Sequence, residues 1–85
     1  MTYEVKLHPK VAKFLQRLPK KISDRIKDKL KEVRKDPFLF LEHYEGEDVY
    51  KLRIGEYRAL IDIDFRNRIL YVQVLDHRSR IYKRR

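Results

Sequence analysis

Residues 50–64 read YKLRIGEYRALIDID, with apolar positions alternating on both sides of Gly55-Glu56: Tyr50, Leu52 and Ile54 before it, Tyr57, Ala59, Ile61 and Ile63 after it. Period-two alternation marks a strand with one face on a core. A Gly-X pair between two such runs suits a type II′ hairpin turn, because glycine takes the required positive φ without a Cβ clash. The register follows: Ile54 faces Tyr57, Arg53 faces Arg58, Leu52 faces Ala59 and Lys51 faces Leu60. Parity sends Tyr50, Leu52, Ile54, Tyr57, Ala59 and Ile61 to the core side and Lys51, Arg53 and Arg58 to the other. Like charges directly across a strand pair repel, so a fold that keeps Arg53 opposite Arg58 is expected to hold an anion between them.

A further alternating run, Leu70, Val72 and Val74, makes a third strand, with Arg66-Asn67 as the connection. A two-residue loop there puts Leu75 opposite Arg58 and brings His77, Arg78 and Ser79 to the Gly55 turn. Upstream, Tyr3, Val5 and Leu7 alternate as a short strand. Pro9 then opens a helix whose stripe is Val11, Phe14, Leu15 and Leu18, and after Pro19 a second stripe runs Ile22, Ile26, Leu30, Val33 until Asp36-Pro37 stops it. Phe38–Leu41 is an unpatterned apolar run expected to close the core edge, Phe38 and Phe40 more than Leu39 and Leu41. EHYEGED, residues 42–48, reads as an acidic loop. The order is β-α-α-β-β-β, an α+β fold with an antiparallel sheet and the N-terminal helical hairpin on one face. At 85 residues the chain is expected to be one domain, 1–85.

The 22 Lys and Arg against 13 Asp and Glu leave a formal charge of +9, which calls for a polyanionic partner such as nucleic acid, or an acidic protein. With no cysteine there is no disulfide framework or thiolate metal site, and no His/Asp/Glu spacing suggests a metal, so no cofactor is expected. Asp62 and Asp64 are expected to partner surface Lys or Arg. No signal-peptide pattern or apolar run of about 18 residues appears, so a cytoplasmic protein that leaves membranes alone is expected.

The last nine residues, HRSRIYKRR, carry five Lys or Arg and no acid, extending the cationic face. Hairpin pairing thus gathers Lys51, Arg53, Arg58, Arg78 and Tyr82, with His77, Arg80 and Lys83 beside them as further candidates for contact with a polyanion. His77 has two readings, an acid-base group suited to neutral pH or a strand-end cap.

YKLRIGEYRALIDID followed by VLDHRSRIY resembles the RelE/ParE toxin superfamily: a basic strand, a tight turn, a Gly-x-Tyr-Arg segment and a terminal basic-aromatic stretch, in that order. The element order and the length match as well. Where relatives place a second lysine two residues before Lys51, this chain has Val49, so one basic contribution is either missing or supplied by Lys83. The resemblance implies a type II toxin-antitoxin toxin that cuts messenger RNA on the ribosome, inhibited by a cognate RelB-like antitoxin. It implies catalytic roles for Lys51, Arg53, Arg58, Tyr82 and Arg78, with Arg80 the other candidate for that last arginine. Metal-free cleavage needs a base for the 2′-OH, for which Lys51 is the candidate if Arg53 and Arg58 depress its pKa. It also needs a phosphate clamp, here Arg53, Arg58 and Arg78, while Tyr82 orients or stacks on a base. A ParE-like toxin that binds gyrase, or a non-catalytic RNA-binding domain, is the alternative. The antitoxin is expected to cover the cationic face or shift residues 77–85, and to anchor in an apolar groove near Phe38–Leu41.

Overall fold

The computed structural model describes residues 2–44 and 48–81. Its elements are β1 (Glu4–Leu7), α1 (Pro9–Arg17), α2 (Lys20–Val33), α3 (Pro37–Phe40), β2 (Glu42–His43), β3 (Tyr50–Ile54), β4 (Tyr57–Asp64) and β5 (Ile69–His77). The five strands form one sheet in the order β1-β5-β4-β3-β2.

Each helix starts and stops for local reasons. Pro9 occupies the first turn of α1, and His8 Nδ1 accepts the Lys10 amide at 3.1 Å, satisfying a donor that the helix cannot. Val11 and Leu15 are buried, and Phe14 and Leu18 pack against the same core. In α2 the buried face is Ser23, Ile26, Leu30 and Val33. Both helices lie against the sheet side carrying Leu52, Ile54, Ala59, Ile61, Leu70, Val72 and Leu75, and these residues together are the core.

Two small elements differ from the sequence reading. The run expected to close the core edge is a single helical turn, which splits it by direction: Pro37 is buried, Phe38 and Leu39 are 59% and 73% exposed, and Phe40 and Leu41 pack on the core. Phe38 is therefore outside, contrary to expectation, and Leu41 inside, because one helical turn puts positions i, i+3 and i+4, here Pro37, Phe40 and Leu41, on the core side and turns Phe38 and Leu39 away. The start of the expected acidic loop is a two-residue strand, with Glu42 paired to Lys51 and His43 to Tyr50. The sheet is antiparallel except where β1 joins β5, which is a parallel pair. A parallel pair needs a crossover, and the helical hairpin belongs to it.

The β4–β5 connection is longer than the expected two residues. The last pair is Asp64 with Ile69, so Phe65–Arg68 is the turn. Asp64 holds it: Oδ1 accepts the Asn67 amide at 3.0 Å and Oδ2 accepts Asn67 Nδ2 at 2.8 Å. These bonds, the main-chain one first, keep the Asp64 carboxyl below its usual range. Asp62 accepts Gln73 Nε2 at 3.2 Å, so both aspartates bind amides rather than the expected Lys or Arg.

Arg68 closes this turn at φ 55, a left-handed conformation that costs a residue with a Cβ about 1–2 kcal/mol. Arg68→Gly is expected to stabilise the fold by about 0.5–1 kcal/mol, after subtracting the extra unfolded-state entropy of glycine. Urea unfolding checks it: an unchanged or lower midpoint would show that the Arg68 side chain offsets the strain.

Candidate nucleic-acid interface

The β3–β4 hairpin has the register that its alternation requires, with Arg53 across from Arg58 and Ile54 from Tyr57. Gly55 sits at φ +56 in the turn. Arg58 does not extend into solvent. Its Nη1 donates to the carbonyls of Gly55 at 2.7 Å and Tyr57 at 2.8 Å, so the guanidinium is tied to the turn. Arg53 is exposed and has no hydrogen bond or ion pair among the described residues. The cross-strand repulsion is thus moderated by fixing one guanidinium on carbonyl oxygens while the other stays in water.

Lys51 lies on the same face, with Nζ 3.3 Å from Glu42 Oε2 and 6.0 Å from the centre of the Tyr44 ring. An acidic residue therefore faces the lysine that the sequence sets among arginines. Leu39, Phe40, Leu41, Glu42, Lys51, Arg53 and Arg58 line a depression of about 550 Å³ on this part of the surface. Cationic groups and an apolar rim thus share one concavity.

The third strand enters with a shift. A bulge on β5 opposite Leu60 and Ile61 puts Asp76, not the expected Leu75, across from Arg58, and leaves Leu75 across from Ala59. The extra residue reverses parity, so Leu70, Val72 and Leu75 all reach the core while Asp76 joins the Arg58 face. After β5 the chain folds back at the Gly55 turn, where the Arg78 amide donates to Glu56 O at 2.7 Å. Arg78 Nε pairs with Glu56 Oε2 at 2.7 Å, and Arg80 Nε with Asp76 Oδ1 at 3.2 Å.

His77 pairs with Tyr57 in the sheet, and its ring lies edge-on to Tyr57 at 5.6 Å. Its Nδ1 accepts the Ser79 amide at 3.2 Å and lies 2.8 Å from Ser79 Oγ. That nitrogen is occupied in holding the turn, which is the strand-end capping arrangement; Nε2 is the other ring nitrogen. Tyr82 and Lys83 lie outside the described residues. Lys51, Arg53, Arg58, His77, Arg78 and Arg80 belong to β3, β4, the end of β5 and the turn after it.

The family model for the ParE toxin of the parDE type II toxin-antitoxin system matches residues 5–82. The chain belongs to the RelE/ParE toxin superfamily. The archaeal RelE–RelB complex of Pyrococcus horikoshii contains a chain similar to it at 30% identity and TM-score 0.77, covering 94% of this chain and 99% of that one. The RelBE2 toxin-antitoxin complex of Mycobacterium tuberculosis shares the fold at TM-score 0.80 and 21% identity, over 91% of this chain and 99% of that one. A protein of Methanocaldococcus jannaschii named as the toxin RelE1 is 26% identical over 88 residues, 98% of each chain. The chain is thus a RelE-family toxin of the type II toxin-antitoxin class.

Three acidic residues of this toxin escaped the sequence reading: Glu42, Glu56 and Asp76. Glu56 was visible only as the second residue of a turn, and its pairing with Arg78 depends on the β5 register. Asp76 carried a local signal in its i,i+4 spacing to Arg80, yet its complete burial follows from the bulge. Among the described residues no helix is long and apolar enough to cross a membrane.

Proposed function

We propose that this toxin works as a single-domain endoribonuclease that cuts messenger RNA on the ribosome, without a metal, and is held in check by a RelB-like antitoxin. The observation that carries the reading is Arg53, without a partner among the described residues, set directly across the hairpin from a carbonyl-anchored Arg58, beside Lys51. A scissile phosphate seated there meets a preoriented donor and a mobile one. Cleavage needs the 2′-OH deprotonated in line with phosphorus, charge stabilised on the phosphate oxygens, and the 5′-oxygen protonated. Arg53, Arg58 and Arg78 supply the charge stabilisation; Lys51 is the base candidate and Tyr82 the base-stacking or proton-transfer group. The products are a 2′,3′-cyclic phosphate and a 5′-hydroxyl.

For Arg78 to reach the phosphate, its pairing with Glu56 must exchange for RNA, which is a small cost because both side chains are more than half exposed. The antitoxin reading rests on the related RelE–RelB complexes and on Phe38 and Leu39, with Phe38 stacked on Phe65 at 5.9 Å as an exposed apolar anchor. The match to a ParE model favours gyrase binding as the second reading.

One experiment separates them. The toxin is added to a purified translation system, message ends are mapped, and gyrase supercoiling is assayed in parallel. Cleavage within translated codons with unimpaired supercoiling is expected. Intact message with inhibited supercoiling would replace the nuclease by the gyrase reading.

A further inference from the structure

Arg25 projects from the middle of α2 to the Gly55 turn, whose carbonyl the Arg58 guanidinium binds. A Cβ added at Gly55 would meet Arg25 Cζ at 3.3 Å and both terminal nitrogens at 3.4 Å, so the guanidinium lies flat against the turn. Arg58 Nη1 binds the carbonyl of the same glycine at 2.7 Å. Two guanidinium groups thus meet at one residue, with exposed Arg53 two positions before it.

Arg25 is placed there without an internal reward. It is exposed and makes no hydrogen bond or ion pair among the described residues. Asp28, one turn along the same helix, is within helical pairing distance in sequence, yet Arg25 reaches past it to the turn. The neighbouring acids on this face are engaged elsewhere: Asp24 binds Lys20 at 2.7 Å and Glu32 lies 3.6 Å from Lys29. Lys21, Arg25, Lys29 and Arg53 line a concavity of about 520 Å³ beside Ile54 and Gly55, together with the carboxylates of Asp24, Asp28 and Glu32, so the bases outnumber the acids there by one.

We propose that Arg25, with Lys21 at its side, forms a second phosphate position for single-stranded RNA, one that takes the backbone of a nucleotide flanking the scissile phosphate as the strand passes over the Gly55 turn. The position rests on the reading of the Arg53–Arg58 face as an RNA site and extends that site from the outer face of the sheet to the helix side. Glycine at 55 suits the passage, since a side chain there would press on the Arg25 guanidinium. A planar guanidinium without an internal acceptor presents its donors to a phosphate, whereas the cationic face alone would end at the hairpin.

The test uses the full chain and 2′-O-methyl oligoribonucleotides, which lack the attacking hydroxyl and are not cut. Binding is followed by anisotropy over a salt series, with a long oligonucleotide and with a dinucleotide bearing one internucleotide phosphate. The variants are Arg25→Ala, Arg58→Ala and, as a charge control, Lys6→Ala on the far strand β1. Arg25→Ala is expected to weaken the long ligand about three- to tenfold and to reduce the salt slope by roughly 0.7 to 1, with no effect on the dinucleotide. Arg58→Ala should weaken both ligands. Loss in Arg25→Ala no greater than in Lys6→Ala, while Arg58→Ala still weakens both, would overturn the second position and leave the first. Unimpaired binding in Arg58→Ala would remove the RNA site itself, and the flanking position with it.

Discussion

Arg58→Ala is expected to lower messenger cleavage by about 10²–10³-fold, the loss typical of removing one preorganised charge-stabilising donor. The guanidinium is anchored by the carbonyls of Gly55 and Tyr57, so it is in place before RNA arrives and needs no reorganisation at the moment of reaction. Relief of repulsion with Arg53 taken alone would make the variant more stable than the parent. The two carbonyl bonds offset that gain, and the net cost should be about 1 kcal/mol. Single-turnover cleavage with the variant, checked by urea unfolding, measures both effects. A folded Arg58→Ala protein that cuts at the parent rate would show the clamp to be misassigned.

Asp76→Ala is expected to destabilise the fold by about 2–3 kcal/mol. The carboxylate is completely buried, accepts the His77 amide at 2.7 Å and faces Arg80 Nε at 3.2 Å. Truncation takes the acceptor from the His77 amide and leaves a void, whereas Arg80, mostly exposed, simply rehydrates. Asp76→Asn keeps an acceptor for the amide and loses only the charge, so it should fall between parent and alanine. Denaturant midpoints of the three proteins decide it: equal stability of Ala and Asn would assign the whole effect to the charge of the Asp76 carboxylate. Because Asp76 also fixes the turn that carries Arg78, the alanine variant should lose cleavage beyond its loss of folded protein.

Local pattern was enough for the helices and the hairpin. Stripes at i, i+3, i+4 and prolines at both helix starts need nothing from the rest of the chain, and the alternation around Gly55-Glu56 admits only one register that keeps Leu52, Ile54, Ala59 and Ile61 on one side. The set Lys51, Arg53 and Arg58 was legible for the same reason. The pairing β1 with β5 was not, since a parallel contact between chain segments more than 60 residues apart leaves no local mark. Nor was the exposure of Phe38, which depends on which side of a one-turn helix the core lies.

The sequence by itself determined the basic charge, the two amphipathic helices, the β3–β4 register and the arginines facing each other across it, because each depends on residue type and a short period. Only the tertiary structure decided what those arginines meet. A one-residue bulge in β5 reversed side-chain parity, bringing Leu75 into the core and Asp76 across from Arg58. The fold-back after β5 set Glu56 against Arg78, and packing of α2 laid Arg25 on Gly55. A bulge is chosen by the joint demands of core packing on Leu70, Val72 and Leu75, which no short window of sequence contains, so the charge pattern was readable but its partners were not.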